Sequence, residues 1–219
     1  MSDAAWQRAH SPEQKAERRE AILDAAADLF RERPIAAISI GEVAQRAGIA
    51  KGSVYRYFTT KEEIFLDLLV RDLGGWFEAL TEALASEGGA SSPARLAALI
   101  VESLRPREMM LRLLSLLFSD IEQNLSLDAV RAFKRWLLER VGAAGAAIEA
   151  ALPALPAGAG GRVVLRLNAL VAGLWPMAHP AANTKKALSG PKMAPLRVDF
   201  YPELEAALGA MLLGMTAPT

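Results

Sequence analysis

Apolar side chains return every three or four residues along nearly the whole chain, and no convincing run alternates with a period of two. That spacing builds one face of an α-helix and not one face of a strand, so the expected class is all-α, with about nine helices. Ile22, Ala26, Leu29 and Phe30 make the first stripe, on a helix over residues 17–31 that Pro34 stops. After Thr60 a long helix carries Phe65, Leu69, Leu73, Trp76, Leu80 and Leu84. Gly74 and Gly75 weaken its middle, and Gly88-Gly89 ends it. Ser92-Pro93 restarts the chain with an N-cap and a first-turn proline. Beyond the break at Arg105-Pro106, helices are expected over residues 107–123, 125–152, 162–178 and 201–213. Residues 183–199, with Pro191 and Pro195, read as a loop carrying Lys185, Lys186, Lys192 and Arg197.

A chain of 219 residues fits one large domain or a small one joined to a larger one. With no cysteine, thiolate catalysis, iron–sulfur clusters and cysteine-ligated zinc are excluded. His10 and His179 are the only histidines, too few for a multi-histidine centre, so neither metal nor cofactor is expected. The 25 basic and 25 acidic residues cancel, which argues against a wholly basic nucleic-acid coat but leaves local patches open. The first twenty residues are polar, and the apolar runs 109–118 and 167–178 are too short to cross a bilayer. The expectation is a soluble, cytoplasmic protein with no membrane partner.

Residues 38–64 read ISIGEVAQRAGIAKGSVYRYFTTKEEI. Ser39-x-x-Glu42 and Thr60-x-x-Glu63 are capping boxes, each opening a helix. Counted from Ile40, a small residue (Ala44) stands fifth, where two helices touch. A glycine (Gly48) stands ninth, where the turn favours a left-handed backbone, and an apolar residue (Val54) fifteenth. This is the spacing of a helix-turn-helix. Between Val43 and Lys61 the chain holds Arg46, Lys51, Arg56 and Lys61 and no acidic residue, with Tyr55 and Tyr57 among them. Basic groups neutralise phosphates and tyrosine hydroxyls hydrogen-bond them, so the stretch suits a nucleic-acid surface.

The run AGIAKGSVYRYFTTKEEIF resembles the DNA-binding signature of tetracycline-repressor (TetR-like) transcriptional regulators, over about residues 16–68. The resemblance implies that Ala50, Lys51, Gly52 and Ser53 open a recognition helix facing the major groove. It implies phosphate contacts from Tyr55, Tyr57 and Lys61, and a backbone contact from Ser39. Lys51 can donate to guanine O6 and N7, and Gly52 lets the backbone approach bases closely. Arg56 is open between base, phosphate and solvent. The implied organisation is a flexible arm over 1–16, a DNA-binding domain over 17–60 and a larger helical domain over 61–219. Arg8 and Lys15 in the arm are candidates for a minor groove.

The resemblance also implies a cavity in the larger domain for a small-molecule inducer. Candidate lining residues are Met109, Met110, Leu113, Leu117, Trp136 and Trp175, with Arg112, Arg166, Asn168 and His179 to orient a polar end. Their composition suggests a largely apolar or aromatic ligand. One recognition helix buries too little surface for a discriminating complex, so a homodimer on a palindromic double-stranded DNA operator is expected, joined through the apolar helices over 162–178 and 201–213. The long helix after Thr60 is expected to transmit ligand binding by its tilt. No nucleophile elbow, paired acid and base or glycine-rich phosphate loop is found, so catalysis is not expected. A helical small-molecule sensor or carrier without DNA binding, and a protein-interaction adaptor, are the alternative readings.

Overall fold

The structure is a computed structural model that describes residues 12–88 and 92–217. Among these residues there are ten α-helices and no strand. The helices are α1 (Pro12–Glu32), α2 (Ile40–Arg46), α3 (Lys51–Val54), α4 (Lys61–Ser86) and α5 (Pro93–Leu104). They continue with α6 (Glu108–Leu116), α7 (Leu127–Ala151), α8 (Ala159–Ala178), α9 (Ala182–Ala187) and α10 (Phe200–Thr216).

The all-α expectation holds, and several boundaries move. α1 starts at Pro12, so Lys15 lies on a helix; Arg8 and the rest of 1–11 lie outside the described residues. The helix expected over 107–123 ends at Leu116 and passes into a π-turn, Leu117–Ile121, then a 3-10 turn, Glu122–Asn124. The expected loop 183–199 instead contains α9 and a 3-10 segment, Pro191–Leu196. These elements are too short to show periodicity in sequence. Pro176 sits inside α8, which runs two residues past it to Ala178. A proline in the final turn removes one N–H close to where the helix is ending, so it trims the helix without breaking it earlier.

The chain forms two compact units. One comprises the residues through Arg71 together with Leu117–Val130. Its core is Ile22, Ala26 and Phe30 of α1 with Ile64, Phe65 and Leu69 of α4, all essentially inaccessible, and the Phe30 and Phe65 rings meet at 5.6 Å. The other comprises Asp72–Leu116 and the residues from Arg131 onward. There α6 and α10 pack on α8, and α5 packs on α10, around buried Ile100, Met110, Leu113, Leu167, Leu204 and Leu208. Trp76 donates its indole N–H to Ser103 Oγ at 2.9 Å, joining α4 to α5.

The glycines of α4 have partners that explain them. A Cβ on Gly74 would stand 3.6 Å from the Trp136 ring, and one on Gly75 3.6 Å from the Arg107 guanidinium. Arg107 donates to the Gly75 carbonyl at 3.0 Å. The helix is unbroken there, so the pair serves close approach rather than a hinge.

The tightest approach joins α7 and α8. A Cβ on Gly160 would stand 2.0 Å from the Gly145 carbonyl oxygen, and one on Gly145 would stand 2.6 Å from the Gly161 nitrogen. Glu149 Oε1 accepts the Gly160 N–H at 2.8 Å, so α7 also supplies the missing cap of α8. Backbone cannot yield as a flexible side chain can. Gly160→Ala is therefore expected to lower unfolding stability by at least about 1–3 kcal/mol, read as a lower urea midpoint. Gly142→Ala, whose added Cβ meets nothing within 4 Å, is the control in the same helix pair. An unchanged midpoint for Gly160→Ala would show that the two helices can part freely.

Candidate functional site

The first unit presents a helix-turn-helix built by α2, the turn over 47–50 and α3. Gly48 takes φ +68° in that turn, a conformation costly for any residue with a Cβ, and nothing stands within 4 Å of where one would be. Val43, Ala44 and Val54 are fully buried, as the spacing predicts. α3 is short: only four residues are α-helical, and 55–57 continue as a turn closed by the Tyr57 N–H to Val54 O bond.

Ser39 caps α2 with the full reciprocal box. Its hydroxyl accepts the Glu42 N–H at 3.3 Å, and Glu42 Oε2 accepts the Ser39 N–H at 2.9 Å. Arg33 adds a bond to Glu42 Oε1 at 2.7 Å. Hydrogen bonds from Ser39, then from Arg33, hold the Glu42 carboxyl down to about 2. The second box departs from the simple pattern. Thr60 Oγ1 accepts the Glu63 N–H, but the Glu63 carboxylate reaches one residue further, to the Thr59 N–H at 2.5 Å.

The candidate DNA-contacting residues divide by what already holds them. Ala50, Lys51, Gly52, Tyr55 and Arg56 are exposed, and Ser53 and Tyr57 are half-buried. Gly52 has nothing within 4 Å of a would-be Cβ, so it leaves open space beside Lys51. Arg56 Nη2 donates to Ser53 Oγ at 2.9 Å, which ties the two side chains together. Lys61 donates to the carbonyls of Ile35 and Ile38, at 3.0 and 3.2 Å, closing the 3-10 turn Ile35–Ala37 onto the start of α4. Two of its three donors are thus used inside the domain. Arg46 of the acid-free stretch pairs with Glu32 at 3.0 Å. Arg33 was not singled out by the sequence, because its partner Glu42 is nine residues away and no local pattern links them.

α1 and α4 carry a charged clamp beneath this motif. Arg19 pairs with Asp67 and stands 5.1 Å over the Phe58 ring, and Arg71 bonds Glu20 at 3.0 Å and Asp24 at 2.8 Å. Burial pushes the Asp67 carboxyl up to about 6, outweighing the Arg19 attraction, and Glu63 and Glu20 add to the rise.

The candidate effector residues are less unified. Met110, Leu113, Leu117 and Trp175 are buried, Met109, Arg112, Trp136 and Asn168 are half-buried, and Arg166 and His179 are exposed. Trp136 lies in an aromatic cluster, 6.4 Å from Phe77 and 6.2 Å from Phe133. Asn168 Oδ1 is buried with no hydrogen-bond partner. His179 is not among these core side chains. It lies at the C-terminal end of α8, stacked on Trp175 at 3.9 Å, and lines a pocket there with Lys185 and Arg197.

The fold and this motif define an all-α helix-turn-helix protein. Residues 22–68 match the family model for bacterial regulatory proteins of the tetR family, and residues 70–219 match the tetracyclin repressor-like C-terminal domain. The chain belongs to the tetracycline-repressor (TetR) family, whose members are transcriptional regulators that bind DNA operators and typically act as dimers with small-molecule ligands. It is 39% identical over 89 residues to the HTH-type transcriptional repressor KstR2 of Rhodococcus jostii, a match covering 41% of this chain and 43% of that protein. The match thus spans less than half the length of that curated relative. A TetR-family regulator from Streptomyces coelicolor shares the fold with a TM-score of 0.55 and 24% identity, covering 91% of this chain and 99% of that one. One from Syntrophomonas wolfei does so at 0.56 and 17%, covering 92% and 96%. No described helix is long and apolar enough to cross a membrane.

The Asp67 environment gives a test of the clamp. Between the ordinary 3.8 and about 6 the folded chain holds a proton that the unfolded chain has lost. Stability from this group is therefore complete below pH 3.8 and is lost as pH rises through 6. Asp67→Asn is expected to remove that downward slope, compared by urea midpoints across the window. Parallel wild-type and variant profiles would contradict the burial argument.

Proposed function

We propose that the protein is a homodimeric, ligand-responsive repressor that binds a palindromic operator and is released by a small-molecule inducer. The observation that carries the DNA reading is the pairing of an ordered, capped helix-turn-helix with exposed Lys51 and Tyr55 beside the open space at Gly52. A sensor or adaptor that had given up DNA would not need a bare backbone next to an exposed lysine. In this reading Lys51 reads a base, Gly52 admits the backbone, and Tyr55, Tyr57 and Ser39 hold phosphates. Lys61 acts mainly by fixing the turn, with one donor left for a phosphate. The reading keeps the boundaries 17–60 for the DNA-binding domain and 61–219 for the larger one, and places the protein in the cytoplasm without catalytic activity.

The dimer reading rests on two exposed strips. Leu165, Ala169 and Gly173 share one face of α8, and Ala206, Ala210 and Leu213 one face of α10, with Leu165 57% and Leu213 64% exposed. Small and apolar residues at helical spacing allow close packing against a second copy. The effector reading rests on Asn168, whose buried, orphaned oxygen can accept a ligand's donor. A ligand releases DNA only through its difference in affinity for the two states. α4 contributes residues to both compact units, so a change felt by Asp72–Ser86 is carried by the same helix as Lys61.

Binding to random genomic fragments followed by sequencing is expected to return a short inverted repeat, with half-sites about 34–36 Å apart or a multiple of that. With six or more phosphate contacts, affinity should fall roughly a thousandfold between 50 and 200 mM salt. Lys51→Ala should lose about 1–3 kcal/mol of discrimination at one base position, whereas Tyr55→Phe should weaken all sequences alike. A uniform loss for Lys51→Ala would reassign that residue to the backbone. In sedimentation, Leu165→Glu combined with Leu213→Glu should convert a dimer to a monomer, and a wild-type monomer at micromolar concentration would refute the assembly.

A further inference from the structure

The segment between α8 and α10 does something the DNA and effector readings leave unexplained. Residues 150–198 contain no acidic side chain, yet hold Arg162, Arg166, Lys185, Lys186, Lys192 and Arg197, in a chain whose charges cancel only when this segment is counted. The last four of these basic residues fall within the expected loop, which the structure folds into α9 and a 3-10 segment around a pocket of about 640 Å³. That volume lies in the usual range for small-molecule sites.

Arg197 builds the wall. Its Nε donates to the Leu188 carbonyl at 2.7 Å, and Nη2 donates to those of Ser189 and Gly190 at 2.8 and 2.7 Å. The two N–H groups on Nη1 have no partner among the described residues. Lys185 likewise has no acidic partner among them, and no carboxylate lines the pocket. His179 is fixed from behind: a carbonyl only accepts, so the ring donates its Nδ1–H to the Trp175 carbonyl at 2.9 Å and serves as part of the pocket lining. Apart from Ser189, the rest of the lining is apolar, including Met177, Leu188 and Val198, with Met177 56% exposed.

We propose that this pocket binds a small amphiphilic organic anion, with a carboxylate or phosphate held by Lys185 and Arg197 and an apolar body against Met177, Leu188 and Val198. The positive charge is gathered where the chain offers no internal counter-charge, and it is joined to an apolar wall. Inorganic phosphate satisfies only the first feature, and a neutral alcohol only the second. A flat basic face would suit nucleic acid better; a concavity with half its lining apolar suits a small molecule. The pocket lining shares only His179 with the effector candidates and includes neither Asn168 nor the buried ones, so either reading can fail without the other.

Calorimetry on the full-length protein with decyl phosphate and decanoate, each below its micelle concentration, tests the proposal, with inorganic phosphate and decanol as single-feature controls. At least one of the two amphiphiles should bind, with each control at least about tenfold weaker, and the better one identifies the head group. Lys185→Ala should weaken binding about tenfold, equivalent to about 1.4 kcal/mol, as expected for one charge-assisted hydrogen bond. Lys185→Glu should abolish it, and circular dichroism should show both variants as folded as the wild type. Val198→Asp, which alters the apolar wall and adds a charge, should also abolish binding. The proposal is overturned if neither amphiphile binds below millimolar concentration, or if Lys185→Glu binds as the wild type does. It is equally overturned if a DNA duplex displaces the amphiphile and loses affinity in Lys185→Glu, for the face would then be a phosphate-backbone surface.

Discussion

Everything the helix-turn-helix does depends on the packing of α1 against the first turns of α4. α2 and α3 are seven and four residues long, too short to be stable by themselves. They are held because Ile22, Ala26 and Phe30 meet Ile64, Phe65 and Leu69 in a layer without accessible surface. Val43, Ala44 and Val54 are buried in the same unit. The polar ties around that layer act on placement. Lys61 binds the carbonyls of the 3-10 turn, and Arg71 reaches two carboxylates of α1. Exposed pairs of this kind contribute little stability, but they limit how far one helix can slide along the other.

Where the information was local, the sequence displayed it. Gly48 at a fixed offset, Ser39 three residues before Glu42, and Ser92 before Pro93 each state a backbone conformation within a few residues, and the structure has all three. Where the information was a distant partner, the sequence was silent. Gly74 and Gly75 look like a weakness until Trp136 and Arg107 are seen beside them. The alanine- and glycine-rich stretch after Val141 looks like a fading helix, yet Gly145 is the point where α8 comes closest. The sequence puts His179, after Pro176 and close to Trp175, with the polar groups of the effector cavity. Its ring stacks on buried Trp175, and His179 itself lines the basic pocket.

Arginine is used in two ways here. In the first unit Arg19, Arg46 and Arg71 pair with carboxylates across helices. Elsewhere Arg107 and Arg197 direct their guanidinium groups at backbone carbonyls, Arg107 on α4 and Arg197 on the turn after α9. A carbonyl takes hydrogen bonds without cancelling the charge, so these two arginines organise backbone and keep their positive field. At Arg197 that field points into a cavity without carboxylates.

The unit that carries the helix-turn-helix is not one stretch of chain. It takes Leu117–Val130 from the middle of the sequence, between two segments that belong to the other unit. The polypeptide therefore passes from one unit to the other three times, near residues 71, 116 and 130. A fragment cut after Arg71 would keep every residue of the motif and still lack Leu117 and Ile121, which are buried in the intact chain. Grafting this DNA-reading head onto another protein thus requires carrying a second, non-adjacent piece of sequence with it.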